Sequence, residues 1–258
     1  MITIDKLCYQ SELRYVNAGE KFAFAVITLL ICVISRSAAC ACVVVTATGI
    51  LTVRKGGIPV FRYLKLMTVP LAFLLLSTLA IIINLSKTRQ GFVSVPVGGW
   101  YLCITCSSLF YALSLILTAL AAVSCLYFLS LSTPMPDILN VLRALHCPAL
   151  LCELMLLIYR FIFVLMEVAS AITTSQHSRL GYRNWRSSLK SFSALASVLL
   201  IRSFKRANLL YDAMESRCYD GAIRVLNESF PPKGREITGI ALFDLLLIAV
   251  IFMERFLI

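Results

Sequence analysis

The feature that most limits what this chain can fold into is a succession of apolar runs too long and too poor in charge for a water-soluble core. Residues 22–35 and 37–53 are split only by Arg36, residues 66–85 and 107–131 follow, and residues 237–258 form the last run. Roughly 20 apolar residues are needed for a helix to cross a bilayer. The first two runs are shorter, so their flanking residues must contribute length. Composition agrees: 60% of residues are hydrophobic, 14% are charged and the mean hydropathy is +0.88, well outside the range of a soluble domain. The sequence therefore predicts an all-α, polytopic membrane protein of five spans, with residues 149–171 as an alternative sixth. Its first segment lacks the short apolar core and small-residue cleavage site of a signal peptide, so the first span is expected to stay in place.

Arg54, Lys55, Arg62 and Lys65 share one short loop, which marks the cytoplasmic side and puts the N-terminus there too. Pro96, Gly98 and Gly99 mark residues 86–100 as an extracytoplasmic loop, against which Lys87 and Arg89 count as two positive charges outside. Thr133-Pro134 reads as a helix start, with a capping hydroxyl and a proline at the first helical position. That helix should run to about Leu145, because Cys147 precedes Pro148. Glu153, Arg160 and Glu167 recur every seven residues and form one polar stripe if residues 149–171 are helical. Seven residues rise about 10 Å, so the stripe makes no compact site. A solvated or internally paired stripe is preferred to a substrate path. Asp244 lies inside the last run, where an acidic residue has a structural or a transport role.

Ten cysteines lie mostly in apolar runs, where a free thiol acts as a small hydrophobe. Cys40-Ala41-Cys42 and Cys103-Ile104-Thr105-Cys106 lack the further ligands that a zinc or redox site needs, so no metal site is expected. The sequence contains no G-x-x-x-x-G-K-[ST] phosphate loop. No cofactor is expected in this chain. An intramembrane enzyme would need a clustered nucleophile and base, or a carboxylate pair. Asp244, Glu153 and Glu167 are the candidates, and none adjoins His146 or His177, the latter read as a solvated neighbour of Arg179.

Residues 173–224 form a polar island, within which Arg179, Arg183, Arg186, Lys190, Arg202, Lys205 and Arg206 follow one another without an acidic residue. No zinc finger, helix-turn-helix or aromatic-rich pattern accompanies this charge, which argues against nucleic acid. Contact with anionic lipid headgroups is expected for some of these residues. Two arginines stand apart by periodicity. Leu165, Ala169, Ile172 and Gln176 lead in helical steps to Arg179, and Leu200, Phe204, Ala207, Tyr211 and Met214 lead to Arg217. Gly181 and Asp220-Gly221 follow as breakers. Each arginine thus ends an apolar face, an arrangement suited to docking in a partner's groove. Neutralising a helix C-terminus explains them equally well, and the residues alone leave both readings open.

The runs Ser132-Thr133-Pro134, Leu142-Arg143-Ala144-Leu145-His146-Cys147-Pro148, Gln176-His177-Ser178-Arg179-Leu180-Gly181-Tyr182-Arg183 and Ala213-Met214-Glu215-Ser216-Arg217-Cys218-Tyr219-Asp220-Gly221 resemble the transmembrane T component of energy-coupling factor transporters. More narrowly, they resemble its cobalt-type member, CbiQ. The likeness covers residues 133–221, and the earlier spans match in hydropathy. It implies a non-enzymatic coupling subunit that joins two ABC-type ATPase subunits, which bind ATP and Mg, to a substrate-binding membrane subunit in an importer of cobalt or another divalent transition metal. It also implies that Ser178, Arg179 and Leu180, and Ser216, Arg217 and Cys218, are the ATPase-coupling motifs at the ends of long cytoplasmic-side helices. The usual form is Ala-Arg-Gly, and both motifs depart from it on either side of the arginine. The implied organisation is a membrane domain over residues 1–132, a cytoplasmic-side coupling module over 133–236 and a final span over 237–258. A self-sufficient carrier and an intramembrane enzyme are the alternatives.

Overall fold

A computed structural model describes residues 3–82, 84–86, 93–97, 100–104, 106–221, 223 and 230–257. Six of its helices are long and apolar enough to cross a membrane, so the chain is a helical, multi-pass membrane protein. The elements are α1 (Thr3–Gln10), a 3-10 turn (Glu12–Tyr15), α2 (Ala18–Ser35), α3 (Ala38–Ile50) continued by a π-helical turn (Leu51–Lys55), α4 (Val60–Ile82), α5 (Cys106–Ser132), α6 (Met135–Ala144), α7 (Ala149–Ser178), α8 (Trp185–Glu215) and α9 (Gly234–Leu257). Strands β1 (Asn84–Ser86), β2 (Val93–Val97) and β3 (Trp100–Ile104) form a small antiparallel sheet in the order β1-β3-β2.

Local chemistry sets most helix ends. Asn17 Oδ1 accepts from the amides of Gly19 at 2.8 Å and Glu20 at 3.4 Å, capping α2. Arg36 enters the left-handed region at φ 51° and Ser37 caps α3 by accepting from Cys40 N. Two residues thus reverse the chain between antiparallel spans. The π turn carries α3 to Lys55, so both runs gain the flanking length that their apolar parts lack. α4 starts earlier than the sequence suggested, at Val60, and stops at Ile82; Leu85, read as the end of that span, lies in β1. The segment 86–100 read as a loop carries β2, whose Val-Ser-Val-Pro-Val alternation suits a strand. Glycine and proline punctuation outweighed that period in the sequence.

The start of α6 differs from its expectation too. Pro134 precedes the helix and its carbonyl accepts from Ile138 N at 3.2 Å, while the Thr133 hydroxyl pairs with Ser132 Oγ at 3.3 Å instead of capping amides. At its other end, His146 takes φ 62° and Cys147 N bonds Leu142 O at 3.1 Å. This six-to-one bond past a left-handed residue is a Schellman turn.

The chain divides into two compact units, Ile2–Ile138 with Glu228–Ile258, and Leu139–Asn227. In the first, α5 packs on α1, α2, α3 and α4, and α9 packs on α2 and α3. Cys32, Cys40, Ala41, Val44, Ala121, Cys125 and Leu247 form its central core. Small residues there let helices approach closely, as membrane packing favours. Phe24 and Phe128 meet edge-to-face at 5.3 Å in a neighbouring cluster. Several polar groups inside are partnered: Tyr63 Oη and Ser124 Oγ are 3.1 Å apart, Thr48 pairs with Ser124, and Lys21 Nζ donates to the carbonyls of Leu13 and Ser132, each at 2.9 Å. An ammonium buried this far needs such acceptors. Asp244 accepts from Thr28 Oγ1 at 3.3 Å, tying α9 to α2.

Candidate functional site

The second unit is built on the antiparallel pair α7 and α8, of 30 and 31 residues. Both helices end in one backbone form. After α7, Arg179 N bonds Gln176 O, Leu180 takes φ 58° and Gly181 N reaches back to Gln176 O at 2.8 Å. After α8, Arg217 N bonds Met214 O, Cys218 takes φ 57° and Tyr219 N reaches back to Met214 O at 3.1 Å. Each is a Schellman turn with its arginine immediately before the left-handed residue. Leucine and cysteine there cost roughly 1–2 kcal/mol each relative to glycine, so the strain sits next to both arginines.

The breakers therefore act differently from their sequence reading. Gly181 does not supply the positive φ. It supplies space, because a Cβ there would lie 2.7 Å from Ser191 Oγ and 2.9 Å from Gln176 O. Gly221 is left-handed at φ 88°, but it comes three residues after Cys218 has already turned the chain.

Around Arg179 the bracing is local. Ser187 Oγ and Ser191 Oγ both donate to Gly181 O at 2.9 Å, Gln176 Nε2 donates to Ser191 O at 2.9 Å, and Tyr182 Oη donates to Gln176 Oε1 at 2.7 Å. His177 stacks on the Tyr182 ring with centroids 4.5 Å apart. It is thus a ring partner of Tyr182, not simply a solvated neighbour of Arg179. Sequence reasoning missed this group, although the position of Gly181 was its one visible signal.

Around Arg217 the bracing comes from far along the chain. Glu153, in the second turn of α7, accepts from Tyr219 Oη at 2.6 Å and from Ile223 N at 3.0 Å. It is 4% exposed. The stripe read from the sequence therefore splits, since Arg160 and Glu167 are exposed. The Tyr219 phenol is pushed up from its ordinary value, chiefly by its hydrogen bond to the Glu153 carboxylate.

Arg179 and Arg217 are both exposed, as are Ser178, Leu180, Ser216 and Cys218. Among the described residues neither guanidinium has an intramolecular partner. The apolar faces behind them differ. Leu165, Ala169, Ile172 and Gln176 are half-buried and Gln176 is bonded to α8, so the first face is less exposed than the second. Leu200, Phe204 and Tyr211 are 59%, 65% and 64% exposed, and no residue of α8 is buried. Among the described residues no group of three or more His, Cys, Asp or Glu could hold a metal ion.

The residue pattern on these helices has counterparts in other proteins. A family model described as cobalt transport protein, CbiQ, matches residues 10–227. The chain belongs to the CbiQ family. An uncharacterized protein of Methanocaldococcus jannaschii is 34% identical over 252 residues, covering 98% of this chain and 93% of that protein. The cobalt transport protein CbiQ of Salmonella typhimurium is 27% identical over 222 residues, 86% of this chain and 98% of its own length. A putative fused cobalt transport protein CbiMQ of Methanocorpusculum labreanum is 31% identical over 225 residues, 87% of this chain and 38% of the fusion. The CbiQ match takes in both arginine turns and ends beyond the segment held by Glu153. This chain is accordingly a membrane component of a cobalt transport family.

Proposed function

We propose that this chain is the non-catalytic coupling subunit of an ATP-driven cobalt importer of the energy-coupling factor type. Arg179 and Arg217 enter grooves on two ABC-type ATPase subunits, which bind ATP and Mg. The exposed face of α8 carries the resulting motion to a substrate-binding membrane subunit. The positive loop at Arg54 to Lys65 supports a cytoplasmic N-terminus, and with α7 lying at the membrane boundary rather than crossing it, as this reading requires, both arginine turns fall on the same side, where ATP is found.

One observation carries this reading. Two arginines without a partner among the described residues, each on the same kind of strained turn, stand at opposite ends of α8, whose 31 residues span about 46 Å at 1.5 Å per residue. No single small ligand bridges that distance, whereas two like subunits side by side do.

The test is co-purification of full-length protein with a co-expressed ABC-type ATPase pair, alongside ATP-dependent Co²⁺ uptake. Retention of the pair by the wild type, and its loss with uptake in the R179A/R217A double variant, is expected. Retention by the double variant defeats the reading. Co²⁺ movement by the purified chain alone in liposomes would establish a self-sufficient carrier instead.

A further inference from the structure

We propose that Glu153 is the positioning residue for the Arg217 tip, a carboxylate clasp that makes the end of α8 and the start of α7 one rigid piece. This inference deepens the coupling reading and rests on it for its functional consequence. Its structural content stands on the hydrogen bonds.

A carboxylate that is 4% exposed is costly unless its oxygens are bonded. Both are used, and on different groups: Oε2 accepts from the Tyr219 side chain, and Oε1 accepts from the Ile223 backbone. Between those two donors Gly221 takes φ 88°, a conformation that favours glycine. Arg143 Nη2 closes the other side of the same residue by donating to Ile223 O at 3.5 Å. Residues 219 and 223 are thus pinned to α6 and α7, while Tyr219 N is pinned to Met214 O of α8 at 3.1 Å. Arg217 projects from a turn held on both flanks.

The clasp has a mechanical reason. The Arg179 turn is stitched to the first turns of α8 by Ser187 and Ser191. Among the described residues of its unit, no helix follows the Arg217 turn. Without Glu153, a push on Arg217 would bend residues 216–223 rather than move the hairpin. With it, the push reaches α7 near its first residue.

Spin-label distances in the full-length protein test this. Cys218 is exposed and adjoins Arg217, so it takes a nitroxide directly once exposed Cys42, half-buried Cys147, Cys103 and Cys106 are changed to alanine. A second label at Glu167→Cys lies about 21 Å from residue 153 along α7 by helix rise. The parent should give a narrow distance distribution. Glu153→Ala should at least double its width, Tyr219→Phe should broaden it less, and Glu153→Gln, which keeps an acceptor oxygen, should stay near the parent. In the unlabelled, co-expressed complex with Glu167 restored, E153A should lower ATPase retention about tenfold, the scale of two lost hydrogen bonds, and E153Q, which can still bond both groups, should not. A width unchanged by E153A, or equal loss in E153Q and E153A, overturns the clasp. If E153A does not fold, Y219F carries the same comparison: broadening supports the clasp and an unchanged width overturns it. If R179A/R217A keeps the ATPases, the coupling reading fails while the distance widths still decide the clasp.

Discussion

The turns that follow Arg179 and Arg217 share a backbone and differ in everything that holds it. The first is braced within sixteen residues of chain, Gln176 to Ser191, by two serines, a tyrosine and a glycine packed too closely for a side chain. The second is braced by Glu153, 66 positions before Tyr219. The first can therefore form as soon as the hairpin forms, since its partners are neighbours. The second depends on α7 already lying beside the end of α8. A repeated motif thus fixes the local shape, while separate tertiary contacts fix the direction of each arginine.

The largest effect expected is on partner binding. Each arginine changed to alanine should lower ATPase retention roughly 10- to 100-fold, the range for charge-assisted bonds, and the double variant should abolish it. If one single variant does all the damage, the two turns are not equivalent contacts. Glu153→Ala comes next at about tenfold, and it should leave the protection of residues 176–191 from hydrogen exchange unchanged.

Gly181→Ala makes the reciprocal change. A Cβ at 2.9 Å from the Gln176 carbonyl forces the backbone to shift, at a cost of about 1–3 kcal/mol. Hydrogen exchange should quicken across residues 176–191, with no change in the Cys218 to residue 167 distance distribution. Movement at both ends would mean that the two braces are coupled.

Leu180→Gly and Cys218→Gly should each stabilise by about 0.5–1 kcal/mol, because relief of the left-handed strain exceeds the added freedom of the unfolded chain. Thermal unfolding of the full-length protein in detergent checks this. A loss of stability would show that those side chains contribute more than their backbone costs.

The smallest effect is one of pH. The Tyr219 phenol is held above its ordinary value of 10.0, so its contribution is complete below that pH and is lost as pH rises through the raised folded value. The Cys218 label should keep one mobility from pH 6 to 9 and loosen only above pH 10, with no alkaline step in Tyr219→Phe. Cys8 offers an unreactive reference for the labelling, since burial pushes its thiol up to about 12.

The spans were legible because hydropathy is a property of consecutive residues, and residues 107–131 differ from α5 by one position at each end. The strand at Val93–Val97 was not, because Pro96 and the following glycines carry a turn signal that competes with a five-residue alternation. The two arginines stood out by periodicity and by family likeness. Their turns were misread because glycine is the usual mark of a left-handed residue, and here it falls at Gly181 and Gly221 rather than at Leu180 and Cys218.

By itself, then, the sequence determined a membrane protein, the approximate places of its apolar helices and the two places where a long helix ends in an arginine. Those follow from composition and from a 3.6-residue period, which link residues close along the chain. The tertiary structure decided that Glu153 leaves the stripe it shares with Arg160 and Glu167 and takes Tyr219 and Ile223 as partners. It also decided that the apolar face behind Arg179 is half-buried while the one behind Arg217 is largely exposed. A buried carboxylate must find donors wherever packing brings them, and no local pattern records which distant turn will supply them.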